Sequence, residues 1–190
     1  KYLLSKKTPI DIILVPIVGS LVALLVTNVI GSPVKSGMEY LGEFIQYATN
    51  LQPFIMGIII AVVMGMALTA PISSAAIAIA ISIGGIAGGA AVVGCSVQMI
   101  GFAVMSRKDN NIGTVISIAI GTSMLQFKNI LKKPVIWLPT IIVSAVLGPL
   151  STVLFKMETN FIGAGMGTSG LVGQFGTLDA MGYSVNVYIY

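Results

Sequence analysis

The chain has 190 residues, of which 56% are apolar and only 8% charged, and its mean hydropathy is +1.00. A water-soluble fold covers its surface with roughly 25% charged residues. Ten basic and six acidic side chains cannot do that here, so a soluble domain and a disordered chain are both excluded. The single cysteine, Cys95, excludes a disulfide scaffold. The composition is that of an integral membrane protein. A formal charge of +4 does not point to nucleic acid, because the basic residues stand at segment edges, where they act as orientation signals.

In chain order, Pro9 to Ile30 meets the roughly 20-residue requirement for a membrane-crossing helix. Lys1, Lys6 and Lys7 precede it and favour a cytoplasmic start. A cleaved signal peptide is the rival reading, but the apolar core is long and no A-x-A-like site follows. Ser32 to Asn50 carries Glu39 and Glu43 on one helical face, with Met38, Leu41, Phe44 and Ile45 spread over much of the rest. This pattern predicts an interfacial amphipathic segment over residues 32–50, with the carboxylates on a solvated face and not in an acid–base pair. Pro53 to Thr69 is a tilted span ended by Pro71, and Ser73 and Ser74 are placed to cap a new helix.

Ala75 to Met105 is about 31 residues without a charge, with Gly84, Gly85, Gly88 and Gly89 in its middle. Two readings fit: a tight helix crossing of GxxxG type, or an unwound stretch at a transport site. Ile112 to Phe127 gives only 16 residues between the basic pair Arg107–Lys108 and the cluster Lys128, Lys132 and Lys133. If both clusters are cytoplasmic, the segment between them enters the membrane and returns. Such backbone is tolerated only against protein or a wet cavity. Pro134 to Phe155 is a further span, and the stretch from Gly163 to Gly170 is too rich in glycine for a regular helix. The chain begins at Lys1 and stops inside an apolar stretch, Ser184 to Tyr190, as expected of part of a longer protein.

Three similar clusters place small polar residues and an amide in apolar surroundings. Cys95 and Ser96 precede Gln98, Thr122 and Ser123 precede Gln126, and Thr168 and Ser169 precede Gln174. An unpartnered amide in hydrocarbon costs roughly 2–7 kcal/mol, so each glutamine must face protein or water. Helix–helix hydrogen bonding satisfies that demand, and so does the lining of a cavity for an uncharged polar solute. Ser73, Ser74, Gln98, Thr122, Ser123, Gln126, Asn129, Thr168, Ser169 and Gln174 are therefore the candidate solute-binding residues. No catalytic residue emerges: there is no histidine, no P-loop and no metal-ligating cluster. Nothing in the residue set calls for a cofactor.

The ordered series from Thr69-Ala70-Pro71-Ile72-Ser73-Ser74, through Gly94-Cys95-Ser96-Val97-Gln98 and Gly121-Thr122-Ser123-Met124-Leu125-Gln126, to Gly165-Met166-Gly167-Thr168-Ser169-Gly170 carries a resemblance. It is similar to bacterial membrane proteins described as subunit IIC-like components of the sugar phosphotransferase system. The resemblance runs from about Pro9 to Gln174. It implies an all-α, polytopic transmembrane protein with broken or re-entrant helices, residues 1–190 forming one transmembrane domain in the inner membrane. It also implies that the chain binds a neutral polar solute, a sugar, often as a homodimer, and passes it inward to cytoplasmic phosphotransferase subunits. A non-transporting receptor or scaffold that kept the permease fold is the alternative, favoured by the missing histidine.

Overall fold

The computed structural model describes residues 11–183. The three leading lysines, the start of the first span at Pro9 and the apolar stretch from Ser184 lie outside those residues. Among the described residues the secondary structure is helical throughout. The one β-type pairing is an isolated bridge, in which Gly85 and Thr159 exchange backbone hydrogen bonds of 2.9 and 3.3 Å. The chain divides into two compact units, residues 1–39 and 40–190.

Helix α1 runs over Asp11–Leu51, with Pro16 and Pro33 inside it. In the first unit its apolar side chains Leu21, Leu24, Leu25 and Val29 are exposed, a surface suited to lipid and not to water. Lys35 Nζ lies 3.7 Å from Glu39 Oε1 across one exposed turn. In the second unit Glu43 is exposed, while Gly42 and Thr49 are buried and Gln46 Nε2 donates to the Ser82 carbonyl at 2.8 Å. The 40–50 stretch thus meets protein through Gly42, Gln46 and Thr49, while Leu41, Phe44 and Tyr47 are exposed.

The second unit is organised by helices α2 (Pro53–Thr69), α4 (Gly85–Ser106) and α7 (Leu138–Pro149). Together with the 3-10 turn Pro134–Trp137 before it and the π-helical turn Leu150–Phe155 after it, α7 makes a continuous 22-residue apolar stretch. α4 is also 22 residues. At about 1.5 Å per residue, each stretch matches a hydrocarbon core of roughly 30 Å. α4 is mostly enclosed, whereas α7 turns much of its surface outward.

Short residues set the spacing of these three helices. On α2, Gly57, Ala61 and Gly65 recur every four positions and so form one stripe. A Cβ on Gly65 would run into the Gly94 backbone, one on Gly94 would strike the Ala61 carbonyl, and one on Gly148 would strike the Gly57 carbonyl. Backbone therefore touches backbone on both sides of α2, which is how membrane helices gain packing energy when lipid removes the hydrophobic drive.

The remaining segments are broken. Helix α3 (Ser74–Ala80) is capped by Ser73, whose hydroxyl accepts from the Ala76 amide at 3.2 Å. The chain then leaves helical geometry at residues 81–84 and restarts at Gly85, with φ +58°. The glycine run both breaks the helix and admits a close neighbour, though that neighbour is extended backbone and not a second helix. Gly84–Gly85 is the break, and Gly88 and Gly89 let the 157–159 backbone press onto α4.

Helix α5 (Ile112–Ile116) continues as a π-helical turn, Ser117–Gly121. The chain extends at Thr122 and returns through a 3-10 turn, Ser123–Gln126, into α6 (Phe127–Lys132). Ile118 and Ile130, from the two limbs, pack together with Phe102 and Ala103 near the end of α4. Asp109 and Asn110, beside one basic pair, and Lys132 and Lys133, in the other cluster, border the same hollow. This is the geometry expected of a segment that enters and returns. Helices α8 (Phe161–Ala164) and α9 (Val172–Met181) are separated by the glycine-rich loop, as its composition predicts.

Gly94→Ala forces α2 and α4 apart and should cost about 1–3 kcal/mol, the usual penalty of overpacking. Gly19→Ala, with open space around it, should be neutral or stabilising. Thermal unfolding in detergent separates the two, and equal shifts would contradict the close crossing. In a Cys95→Ala background, Arg107→Cys and Lys128→Cys should label with an impermeant thiol reagent from the same side of native membranes. Labelling from opposite sides would remove the returning segment.

Candidate functional site

The C-terminal end of α2, the middle of α4, the start of α7 and the break between α5 and α6 converge on one buried carboxamide. Gln98 is fully buried. Its Oε1 lies 2.9 Å from Thr140 Oγ1, 3.1 Å from Trp137 Nε1 and 3.4 Å from Thr69 Oγ1. The indole N–H can only donate, so the atom facing it is the carboxamide oxygen, and this fixes the orientation of the amide. Thr69 Oγ1 in turn lies 2.9 Å from Ser123 Oγ, at the mouth of the break. A donor sequence from Ser123 to Thr69 to Gln98 Oε1 fits these distances, with the Gly65 carbonyl at 3.3 Å a second acceptor for the Thr69 hydroxyl.

The two ends of this amide are unequally served. The oxygen, with two lone pairs, is approached by three donors. The nitrogen, with two N–H groups, has no partner among the described residues although it is shielded from solvent. A buried donor left unmade costs roughly 1–3 kcal/mol. Ser96, Ser144, Ser151, Thr159 and Gln174 each likewise carry a buried side-chain oxygen without a partner among the described residues.

Gln126 and Asn129 sit nearby in sequence but face elsewhere. Asn129 Nδ2 donates to Gln126 Oε1 at 2.8 Å. Both line a hollow of about 540 Å³ with Phe102, Ser106, Asn110 and Lys133, a volume within the usual range for small-molecule sites. The hollow sits at the end of α4 that carries the basic clusters.

Five other candidates are tied to nearby groups. Ser73 caps α3, and Ser74 Oγ donates to the Gly165 carbonyl at 2.6 Å. Thr122 Oγ1 accepts from the Met124 amide at 3.2 Å. Thr168 Oγ1 donates to the Ala119 carbonyl at 2.6 Å, and Ser169 Oγ donates to the Gly121 carbonyl at 2.8 Å. These bonds fasten the glycine loop to α3 and to the returning segment. They hold the broken elements in register around Gln98 and leave those hydroxyls engaged. Gln174 stands apart on α9, its Oε1 buried and unpartnered.

Thr69 and Thr140 are members of the network that the amide-centred sequence pattern does not single out. Their signal is position: each lies at a helix end beside a proline, Pro71 or Pro139, where backbone is interrupted and a hydroxyl is worth having. A second polar hollow, of about 390 Å³, lies at the opposite end of α4 and is lined by Gln46, Asn50, Ser82, Glu158 and Gly85. It too escapes the sequence pattern, because Gln46 and Asn50 belong to an amphipathic stretch that explains them as surface.

The family model described as phosphotransferase system, EIIC, matches residues 1–190. No curated protein and no solved structure matches the chain.

Trp137 is the chain's single tryptophan, so its emission reports on this network alone. Gln98→Met keeps the side-chain length and removes the acceptor. The emission should move to shorter wavelength, and unfolding should become easier by about 1–3 kcal/mol as the Trp137 donor loses its partner, while Thr140 keeps the Trp137 carbonyl at 2.9 Å. An unchanged spectrum would mean that the indole does not bond Gln98.

Proposed function

The chain belongs to the phosphotransferase-system EIIC family, a family of membrane-embedded permease subunits, and on that premise we propose that it binds a neutral polyhydroxylated solute, a sugar, at Gln98 and Ser123 and moves it across the membrane. The observation that carries this reading is the unpartnered Gln98 Nε2 beside a saturated oxygen. A sugar hydroxyl accepts from that N–H while donating elsewhere, so it completes the network without introducing charge. A carboxylate or phosphate would also accept. Its full charge, however, would have to be desolvated where no described cation is near, at a cost of several kcal/mol.

Gln126 and Asn129 provide the next amide contacts toward the basic end, and Thr122, Thr168 and Ser169 keep the returning segment in place behind them. Gln174 is a further amide contact in this reading. The hollows at the two ends of α4 serve as approaches from either side of the membrane, and the break at Gly84–Gly85 permits the adjustment that alternating access requires. Ser73 and Ser74 set the start of α3, which borders that break. The basic end faces the cytoplasm by the positive-inside rule, and a phosphotransferase partner would receive the solute there.

Reconstituted in liposomes with a panel of radiolabelled sugars, the full-length protein should show saturable uptake of at least one of them. Gln98→Leu and Ser123→Ala should each lower uptake by about tenfold or more, in line with the loss of a buried hydrogen bond. Ser73→Ala removes only a helix cap and should leave uptake within about twofold of normal, since a cap contributes roughly 1 kcal/mol to stability and nothing to the solute. No saturable uptake with or without phosphotransferase partners would overturn transport and leave the receptor reading.

A further inference from the structure

A separate feature lies on the outer side of the α4–α7 pair. A groove of about 460 Å³ runs between these helices, walled by Val97, Ile100, Val104, Val143 and Leu147. Its two hydroxyl-bearing residues offer it nothing polar: the Thr140 hydroxyl is engaged with Gln98, and Ser96 Oγ is covered. At one end the groove opens onto the hollow beside α6. Met105 and Pro139 line both. On the side of the hollow continuous with Pro139 stand Ile136, Lys133 and Lys132. The two lysines make no ion pair among the described residues. Asp109 is the one acid on the hollow's lining, and exposed Arg107, Lys108 and Lys128 adjoin it in the chain.

We propose that this composite of apolar groove and basic hollow binds an anionic phospholipid, with an acyl chain between α4 and α7 and the phosphate at Lys132 and Lys133. Each half selects one half of such a molecule. The groove is apolar along its length and faces the hydrocarbon, where an acyl chain fits and a hydrophilic ligand does not. The lysines sit at the end of two membrane-length stretches, at the depth of headgroups, where each basic residue near the surface adds to the attraction for anionic lipid. A helix from a second copy is the poorer occupant, because symmetry would bring like charges together at the lysine end. The lipid site does not rest on the solute assignment, although Thr140 of the Gln98 network lines the groove and Gln126 and Asn129 line the hollow.

The test is native mass spectrometry of the full-length, delipidated protein in detergent, titrated with phosphatidylglycerol and with phosphatidylcholine. Phosphatidylglycerol should bind about tenfold more tightly, as two headgroup-level lysines opposed by one acid imply. Lys132→Gln with Lys133→Gln should bring the two lipids within about twofold of each other by the same reasoning. Ile100→Trp and Val143→Trp, which fill the groove from exposed positions, should weaken both lipids. Arg107→Gln with Lys108→Gln, outside the hollow's lining, should lower the preference less than loss of the two lysines does. Equal binding of the two lipids would overturn the proposal. So would a preference that survives loss of both lysines, one lost equally with Arg107 and Lys108, or binding untouched by the tryptophans. Because uptake is not the readout, failure here is distinct from failure of the transport reading.

Discussion

The constraint on which the second unit depends is the contact of backbone with backbone along α2. Gly57, Ala61 and Gly65 leave that helix without bulk on one stripe, and Gly94 and Gly148 answer from α4 and α7. In lipid, apolar side chains gain nothing by meeting each other instead of acyl chains, so close approach and its dispersion contacts must supply the association. The approach also fixes the site. Thr69 is one turn beyond Gly65 on α2, and Gln98 is one turn beyond Gly94 on α4. Drawing the glycines together therefore brings the two polar side chains within hydrogen-bonding reach. Packing and polar network are consecutive turns of the same crossing.

The broken segments were legible where a break has a chemical cause. Pro71 followed by two serines produces the stop after α2 and the capped start of α3. A 16-residue apolar stretch returns where the basic clusters at its two ends share one side of the membrane, and the extended backbone at Thr122 supplies the turn. The glycine run was ambiguous for a physical reason. Glycine both weakens a helix and permits close packing, and only the partner decides which property is used. Residues 157–159 are that partner for Gly88 and Gly89, and they come from about seventy positions later in the sequence. The α2 stripe was invisible for the same reason: its spacing is ordinary until Gly94 and Gly148 are set against it.

The site was legible in its residue types and much less so in its geometry. The presence of amides and hydroxyls in apolar segments correctly requires partners, but it does not say which partner each one finds. Ser74, Thr168 and Ser169 found carbonyls that helix breaks leave unpaired. A break creates free acceptors and so attracts the nearest hydroxyl. Gln98 lies inside an unbroken helix, where no free backbone acceptor exists, and its amide is left to side chains alone. Hydroxyls near breaks become fasteners, while an amide in mid-helix becomes a hub.

The same distinction bears on charge. The acids with described side chains, Glu39, Glu43, Asp109, Glu158 and Asp179, are all exposed, and Arg107, Lys108, Lys128, Lys132 and Lys133 gather at the loop end of α4 and α6, with Lys35 and Lys156 elsewhere. Between them, the Gln98 network is built from neutral groups whose bonds can be exchanged one for one. An amide N–H that passes from one hydroxyl to the next loses little at each step, whereas an ion would need its charge compensated at every position. A neutral interior with charged margins is thus what the proposed solute, hydrogen-bonding in both directions, requires, and the basic margin is where the proposed lipid headgroup would sit.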